Sequence, residues 1–449
     1  MTLHKRLSDK YGPYVIILLC AVAVYSLIYM FSANFSPIVR NPYNSFSRQA
    51  ESWLHGRLSL AENVPWLELA IFKGQYYVSF PPFPSIFMLP FTLLFGVNTP
   101  DNIIALGISL LSLFYAYKLG EKVLGNKRYA VIFSLFLTLG TNYLHISLWG
   151  AVWYIAQNFA FLLTLMAFYY ALTDNKHHSY SSLFLLCAAM GCRPFNALYL
   201  PIVLCLIFRR EAKPFLRFLK RILIYALPAF LLGAFYMWLN YARFGSIIEF
   251  GHNYLPEFVN DPHGQFYFGR VLDNLGRMFF NMDFISFPLF HGFAFWLASP
   301  IVVSFVVYLL VYIFRGFQKR NTTKYAYYPV DCGSNPCDGE ESSMTGRGVR
   351  LNGSGNRPKI IDNDRFLVFA LLFLIMLHLV AFSFHRTLGG HQFGARYTVD
   401  TLPAFYLGLL LMLRKLPKNG SVYLNIAPMI FGLLLNFHGT VAFLAYYFQ

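Results

Sequence analysis

The sequence predicts an all-α polytopic membrane protein with about eleven transmembrane helices and two large non-cytoplasmic loops carrying interfacial helices. Three observations carry that expectation: scarce charge, a series of apolar runs near spanning length, and a lopsided placement of cations. Of 449 residues, 57% are hydrophobic, 19% aromatic and only 12% charged. A soluble domain carries about 25% charged residues, and half that supply argues against a water-soluble enzyme of 51.7 kDa. The mean hydropathy of +0.48 agrees. An excess of 36 Lys+Arg over 20 Asp+Glu, a net +16, would raise nucleic acid in a soluble chain. In a membrane protein the same excess is first a matter of topology, and no nucleic-acid partner is expected.

A helix crossing about 30 Å of hydrocarbon needs roughly twenty apolar residues. The N-terminus is basic (HKRLSDK) and then apolar. That run is longer than a signal-peptide core and lacks a small-residue cleavage site, so a retained span is expected near 13–32. Further spans are expected near 102–120, 129–149, 153–172, 180–192, 195–208, 221–240, 295–314, 366–384, 401–413 and 422–446. The two within 180–208 are short and meet at Gly191-Cys192-Arg193-Pro194, as a tight helical hairpin or as one broken element. The stretch 81–97, PPFPSIFMLPFTLLFGV, is short and holds four prolines. It is expected to lie at the interface rather than to span.

With the N-terminus in the cytoplasm, about 26 of the 36 Lys+Arg fall on the cytoplasmic side. They cluster in HKRLSDK, KLGEKVLGNKR, RREAKPFLRFLKR, the 315–365 loop and RKLPK. The alternation places the C-terminus outside, and counting 81–97 as a span would reverse every later loop. The organisation expected is therefore a membrane module over 1–314, with outer loops near 33–101 and 241–294. A disordered cytoplasmic loop follows over 315–365, rich in Gly, Ser, Asn and charge, then C-terminal transmembrane helices over 366–449. Cys20, Cys187, Cys192 and Cys205 lie in apolar runs, where a thiol acts as a small hydrophobe. Cys332 and Cys337 sit in the polar loop without a second pair or a nearby His, so no zinc site and no disulfide framework is expected.

The first outer loop contains AESWLHGRLSL and KGQYYVSFPPFP, an amphipathic helix followed by a Gly turn, a G-x-Tyr-Tyr and a Pro-Pro helix. Further on come LTLGTNYLHISLWGAVWYIAQNFAF, MGCRPFNALYLP, NYARFGSIIEFGHNYL and FGARYTVDTLPAFYLGLL. In order, spacing and sidedness these segments resemble the GT-C membrane glycosyltransferases, particularly bacterial relatives of the protein-mannosyl and aminoarabinose transferases. The resemblance covers the chain except the 315–365 loop and the last span. It implies a GT-C-like fold in the bacterial cytoplasmic membrane, and transfer of a sugar from a polyprenyl-phosphate donor to a lipid, glycan or protein acceptor on the non-cytoplasmic face. It also implies an acid in the first outer loop, serving as base or metal ligand. Counting back from Gly56, that position holds Asn41, and no Asp occurs between Ala33 and Pro100. An amide hydrogen-bonds a hydroxyl but cannot take its proton. Either another carboxylate does the work, or the chain binds or moves a lipid-linked saccharide without turning it over. An unrelated secondary transporter is the third class; scarce ionisable residues in the spans and the lack of an inverted repeat count against it.

Each candidate residue has a plainer reading beside it. Glu68, in WLELAIFKGQYY, is the best substitute base if the interface withdraws it from water and raises its pKa; otherwise it is a solvated loop carboxylate. Glu51 follows Arg48 by three residues on a helix, which favours an ion pair over catalysis. Arg193 either snorkels to headgroup phosphate or holds the donor phosphate. Arg396 and Asp400, four apart around Tyr397, either pair with each other or leave Arg396 and Arg386 to contact phosphate. His145 is a buried hydrogen-bonded histidine or an active-site group, and Tyr77 of the G-x-Tyr-Tyr is a substrate contact. In the second loop Glu249, His252, Asp261, His263, Asp273 and Asp283 are acceptor contacts whose spacing has no metal-site regularity. The expected site is therefore Glu68, Asn41 and Glu51 for catalysis, with Arg193, Arg396, Arg386, Tyr397, Asp400, His145 and Tyr77 for binding. No metal ligands are assigned, and a divalent cation is the one cofactor left open.

Overall fold

A backbone placed in hydrocarbon must satisfy its own N–H and C=O groups, so long apolar runs become helices. The computed structural model describes residues 3–32, 35–175, 177–211, 214–283, 291–325, 364–415 and 422–447. The first outer loop carries α2 (Ser45–Leu54) and α3 (Phe83–Phe95) after α1 (Leu3–Phe31). The middle of the chain forms α4 (Asp101–Leu124), α5 (Lys127–Leu139), α6 (Tyr143–Ser147), α7 (Val152–Leu172), α8 (His177–Met190), α9 (Leu200–Glu211), α10 (Phe215–Tyr225) and α11 (Leu227–Phe244). The second outer loop holds the short α12 (Pro256–Val259) and α13 (Val271–Phe280). It is followed by α14 (Phe295–Ala298), α15 (Ile301–Tyr325), α16 (Asp364–Ser383), α17 (Leu402–Leu413) and α18 (Ile426–Tyr447). Residues 326–363, with Cys332 and Cys337 and most of the expected cytoplasmic loop, lie outside the described residues.

The runs expected to span fall mostly on helix, but among the described residues five helices are long and apolar enough to cross a membrane. They are Lys10–Phe31 within α1, then α4, α7 and α16, and Ile426–Tyr446 within α18. A sixth arises if α10 and α11, bent by 49°, count as one span. Among the described residues the expected eleven are not reached, for local reasons. Run 129–149 breaks at Gly140-Thr141-Asn142, where the Asn142 N–H donates to Ser299 Oγ at 3.1 Å and its side-chain amide to the Phe393 carbonyl at 3.0 Å. Run 295–314 breaks at Ser299-Pro300, since proline lacks the N–H that would continue α14. Run 195–208 opens as a 3₁₀ turn over Pro194–Tyr199 before α9. α3 has 13 residues, about 20 Å at 1.5 Å per residue, too short for the hydrocarbon core.

α7 is the centre of the packing: 78% of its most apolar stretch is buried, against 22% for α1 and 28% for α18. It packs on α4, α8 and α9. α1, α16 and α18 turn Leu19, Met30, Phe373 and Leu434 outward, a face that fits acyl chains better than water.

The all-α expectation needs one correction. Leu69–Phe72 (β1) and Gln75–Val78 (β2) form an antiparallel hairpin with Leu69 opposite Val78. Its two turn residues, Lys73 and Gly74, have φ of 49° and 74°, the left-handed pair that matches strand twist in a two-residue turn. Glycine adopts that geometry freely. Leu60 adds a further bridge to Tyr76, so the hairpin is tied to the chain that precedes it.

Candidate functional site

The hairpin base positions Glu68. Ser79, just past β2, donates its hydroxyl to the Glu68 carbonyl at 3.1 Å, and the flanking Leu67 and Leu69 are buried. The carboxylate accepts a hydrogen bond of 2.8 Å from Trp153 Nε1 in the first turn of α7. Both residues line a cavity of about 560 Å³, a size that suits a small organic ligand. Burial pushes the Glu68 carboxyl up to about 7; the Trp153 hydrogen bond and the Arg396 charge hold it down, while Glu257 adds to the rise. A hydrogen bond to a charged group is worth about 1.5–3 kcal/mol, or roughly one pKa unit or more. Replacing Trp153 by Phe is therefore expected to move the Glu68 titration up by about one unit, read from the pH profile of activity or from titration of the carboxyl by infrared spectroscopy.

A second wall comes from the turn that leads into α17. Residues Arg396–Thr401 form a 3₁₀ helix, held to α7 by Gln157, whose amide donates to the Arg396 carbonyl and to Asp400 Oδ1, each at 2.8 Å. Tyr199 Oη donates to the Asp400 carbonyl at 2.5 Å. Asp400 Oδ2 accepts from Arg193 Nε at 3.0 Å and is ion-paired with Nη2, also at 3.0 Å. The sequence reading that pairs Arg396 with Asp400 is thereby corrected. With three residues per turn, positions four apart no longer share a face, and Asp400 turns to Arg193. Arg193 then lies over the Tyr397 ring at 4.7 Å, so its charge is matched within the protein.

Arg396 is different. It is 4% exposed and stacks between Tyr154, at 5.1 Å, and Tyr397, at 5.3 Å. Its Nη2 donates to the Gly389 carbonyl at 2.6 Å, but Nε and Nη1 have no hydrogen-bond partner. Gly389 and Gly390 have φ of 109° and 70°, which lets the backbone curl its carbonyl toward the guanidinium. A buried cation with two unused donors, lining the same cavity as Glu68, is suited to an anionic oxygen.

The second outer loop closes the cavity with His252, Glu257 and Gln265, joined by His385 beyond α16. His252 Nδ1 donates to the Ser79 carbonyl, which leaves Nε2 as the bare acceptor, and burial lowers its pKa to about 4. His385 Nδ1 accepts from the Thr387 N–H at 3.2 Å, and its Nε2 lies 3.1 Å from the Gln265 amide nitrogen. Burial holds His385 well below its ordinary value and raises Glu257 above its own, against the pull of Arg386. Neutral imidazoles and an amide offer hydrogen bonds without charge, the kind of contact a hydroxyl-rich ligand takes.

Of the residues singled out from sequence, Glu68, Arg193, His252, Arg396 and Tyr397 line this cavity, and Asp400 stands directly behind Arg193. The others do not line it. Asn41 is 1% exposed; its amide donates to Asn102 Oδ1 at 3.1 Å and its oxygen accepts from the Tyr43 N–H at 2.9 Å. Glu51 sits 3.8 Å from His55, while Arg48 Nε donates to Asn44, so the expected Arg48 pair is replaced by a His55 one. Arg386 is engaged by Asp261 at 2.7 Å and lies 3.7 Å from Glu257. Tyr77 donates to Gln75 at 2.5 Å and packs on Phe244. His145 is enclosed by Tyr154, Phe393 and Phe443, and neither ring nitrogen has a hydrogen-bond partner. Sequence reasoning missed Glu257, Gln265 and His385. A usable signal for His385 was the glycine pair Gly389-Gly390 between two segments rich in polar and aromatic residues.

Among the described residues no three His, Cys, Asp or Glu side chains group as metal ligands. No protein-family profile and no curated protein matches the chain. Among solved structures, the crystal structure of the Archaeoglobus fulgidus oligosaccharyltransferase in the apo form is similar, with a TM-score of 0.48 and 13% identity. The match covers 96% of this chain and 56% of that one, so the chain spans about half the length of that protein.

Proposed function

We propose that this chain is an integral membrane glycosyltransferase of the GT-C type. It moves a sugar from a polyprenyl-phosphate donor to a hydroxyl of a lipid, glycan or protein acceptor, on the non-cytoplasmic face of the bacterial cytoplasmic membrane. The observation that carries the reading is the meeting, in one cavity, of a carboxyl that titrates near neutrality and a buried guanidinium with two unused donors. In the step proposed, the acceptor oxygen bonds to the anomeric carbon as the bond from that carbon to the phosphate oxygen breaks. The acceptor proton passes to Glu68, a base whose pKa suits pH 7. The polyprenyl phosphate leaves with the bonding electrons, and Arg396 neutralises the charge that develops on it. Arg193 and Asp400 hold Tyr397 and the 3₁₀ turn in place, and the aromatic faces of Tyr43, Trp153 and Tyr154 bracket the sugar ring. Asn41, locked to Asn102, favours a second reading in which the cavity binds a lipid-linked saccharide without turnover.

Binding of a short-chain probe, farnesyl phosphate, to the purified full chain tests the phosphate subsite. Wild type is expected to bind it saturably and farnesol poorly. Arg396→Ala should weaken farnesyl phosphate about tenfold or more, the worth of a hydrogen bond to a charged group. Equal affinity for farnesol and its phosphate, or an unchanged variant, overturns the assignment of Arg396.

A further inference from the structure

α10 has the sequence FLRFLKRILIY and three distinct flanks. At 100° per residue, Phe218, Ile222 and Tyr225 fall on one stripe, and these are its buried residues. Beside them lie Phe215, Leu216, Leu219 and Leu223, exposed by 57%, 73%, 46% and 71%. The remaining arc carries Arg217, Lys220 and Arg221 around Ile224, and the helix contains no acid. A helix with one flank on protein, one open apolar flank and one basic flank lies in the plane of a membrane surface. A bend of 49° separates α10 from α11, enough for a flat first segment to be followed by one that enters a bilayer.

The neighbours of α10 sharpen what the basic arc faces. Glu211, at the end of α9, lies 3.8 Å from Arg210 and 4.0 Å from Arg221. Arg209 beside it is 2.8 Å from Asp364, and that carboxylate is also 2.5 Å from Arg414 and 3.2 Å from Lys415. The ends of α9, α16 and α17 therefore meet in one basic cluster that continues onto α10, and the two carboxylates found in it among the described residues, Glu211 and Asp364, are already engaged. Arg221, Arg414 and Lys415 remain 48%, 45% and 44% exposed. Surplus cations above an apolar flank match anions carried on an apolar surface. Nucleic acid and free phosphate offer the charge but nothing for Leu216 and Leu223 to enter.

We propose that α10, with Arg414 and Lys415, forms a binding surface for the headgroups of anionic phospholipids. This surface shares no residue with the cavity and does not depend on the reading of it. The test is native mass spectrometry of the purified full chain equilibrated with equal amounts of phosphatidylglycerol and phosphatidylcholine. Wild type should retain phosphatidylglycerol preferentially. A cation at an anionic surface contributes about a fivefold preference, so Arg217→Gln/Lys220→Gln/Arg221→Gln should lose on the order of a hundredfold. Lipid exchange of wild type at about 1 M salt, where the screening length is about 3 Å, should erase the preference without any substitution. Equal retention of the two lipids by wild type, a preference that survives high salt, or a well-folded triple variant that keeps it would overturn the proposal. Displacement of phosphatidylglycerol by millimolar inorganic phosphate would also overturn it, by making the cluster a soluble-anion site.

Discussion

Glu68→Gln is expected to slow sugar transfer by about 10²–10⁴-fold, the usual contribution of a positioned general base. The substitution keeps the shape of the side chain, and the amide oxygen can still accept from Trp153 Nε1, so the cavity wall stays in place while the proton acceptor is removed. In wild type the rate should climb with pH and level off above about 7, the value to which burial pushes this carboxyl. The variant should show no such limb. Stability moves the other way. The folded pKa lies above the ordinary 4.5, so the native protein holds this proton between about pH 4.5 and 7 and the unfolded chain does not. The stability associated with the neutral carboxyl is full below that window and is lost as pH rises through it, by up to about 3 kcal/mol. Glu68→Gln should therefore unfold at a higher temperature than wild type above pH 7, and the two should converge near pH 4.

Asp400→Ala is expected to destabilise the protein by about 3–5 kcal/mol, the cost of leaving one partner of a buried ion pair alone. The carboxylate is 4% exposed, accepts hydrogen bonds from Arg193 Nε and Gln157, and is ion-paired with Arg193 Nη2. Its loss strands a guanidinium and an amide inside the protein and loosens the turn that carries Arg396. Thermal unfolding should drop by several degrees and probe binding should weaken with it. Removing both charges, as Arg193→Met/Asp400→Leu, should recover most of the stability, because an apolar pair of similar volume replaces a buried ion pair at little cost. Equal destabilisation by the double change would mean that packing, not the unpaired charge, sets the loss.

The helices were legible in the sequence because hydrocarbon leaves the chain little choice: most of each apolar run named there lies on helix. Their lengths were less legible, because Gly140-Thr141-Asn142 and Ser299-Pro300 break runs whose hydropathy is continuous. The hairpin went unread because LAIF and QYYV are near the lower limit of strand length and lack a clear alternation, and Lys73 at positive φ carries no obvious turn signature. Glu68, Arg193, Arg396 and Tyr397 were singled out one by one as charges or aromatics near an interface, and they line one cavity. Their pairing was not legible. Asp400 chooses Arg193, some two hundred residues away in the chain, only because its turn is 3₁₀ rather than α. Glu257, Gln265 and His385 come from loops whose closure over the cavity depends on contacts such as the His252–Ser79 bond, which no local pattern announces.

The central claim, that this cavity consumes a lipid-linked sugar, is tested most directly by following release of polyprenyl phosphate from a labelled polyprenyl-phosphate sugar by the purified protein with a hydroxyl acceptor. Wild type should release the lipid phosphate stoichiometrically with sugar transfer, and Glu68→Gln should bind the donor with similar affinity yet leave it intact. Donor bound but unconsumed by wild type, or equal release by the two proteins, would contradict the account.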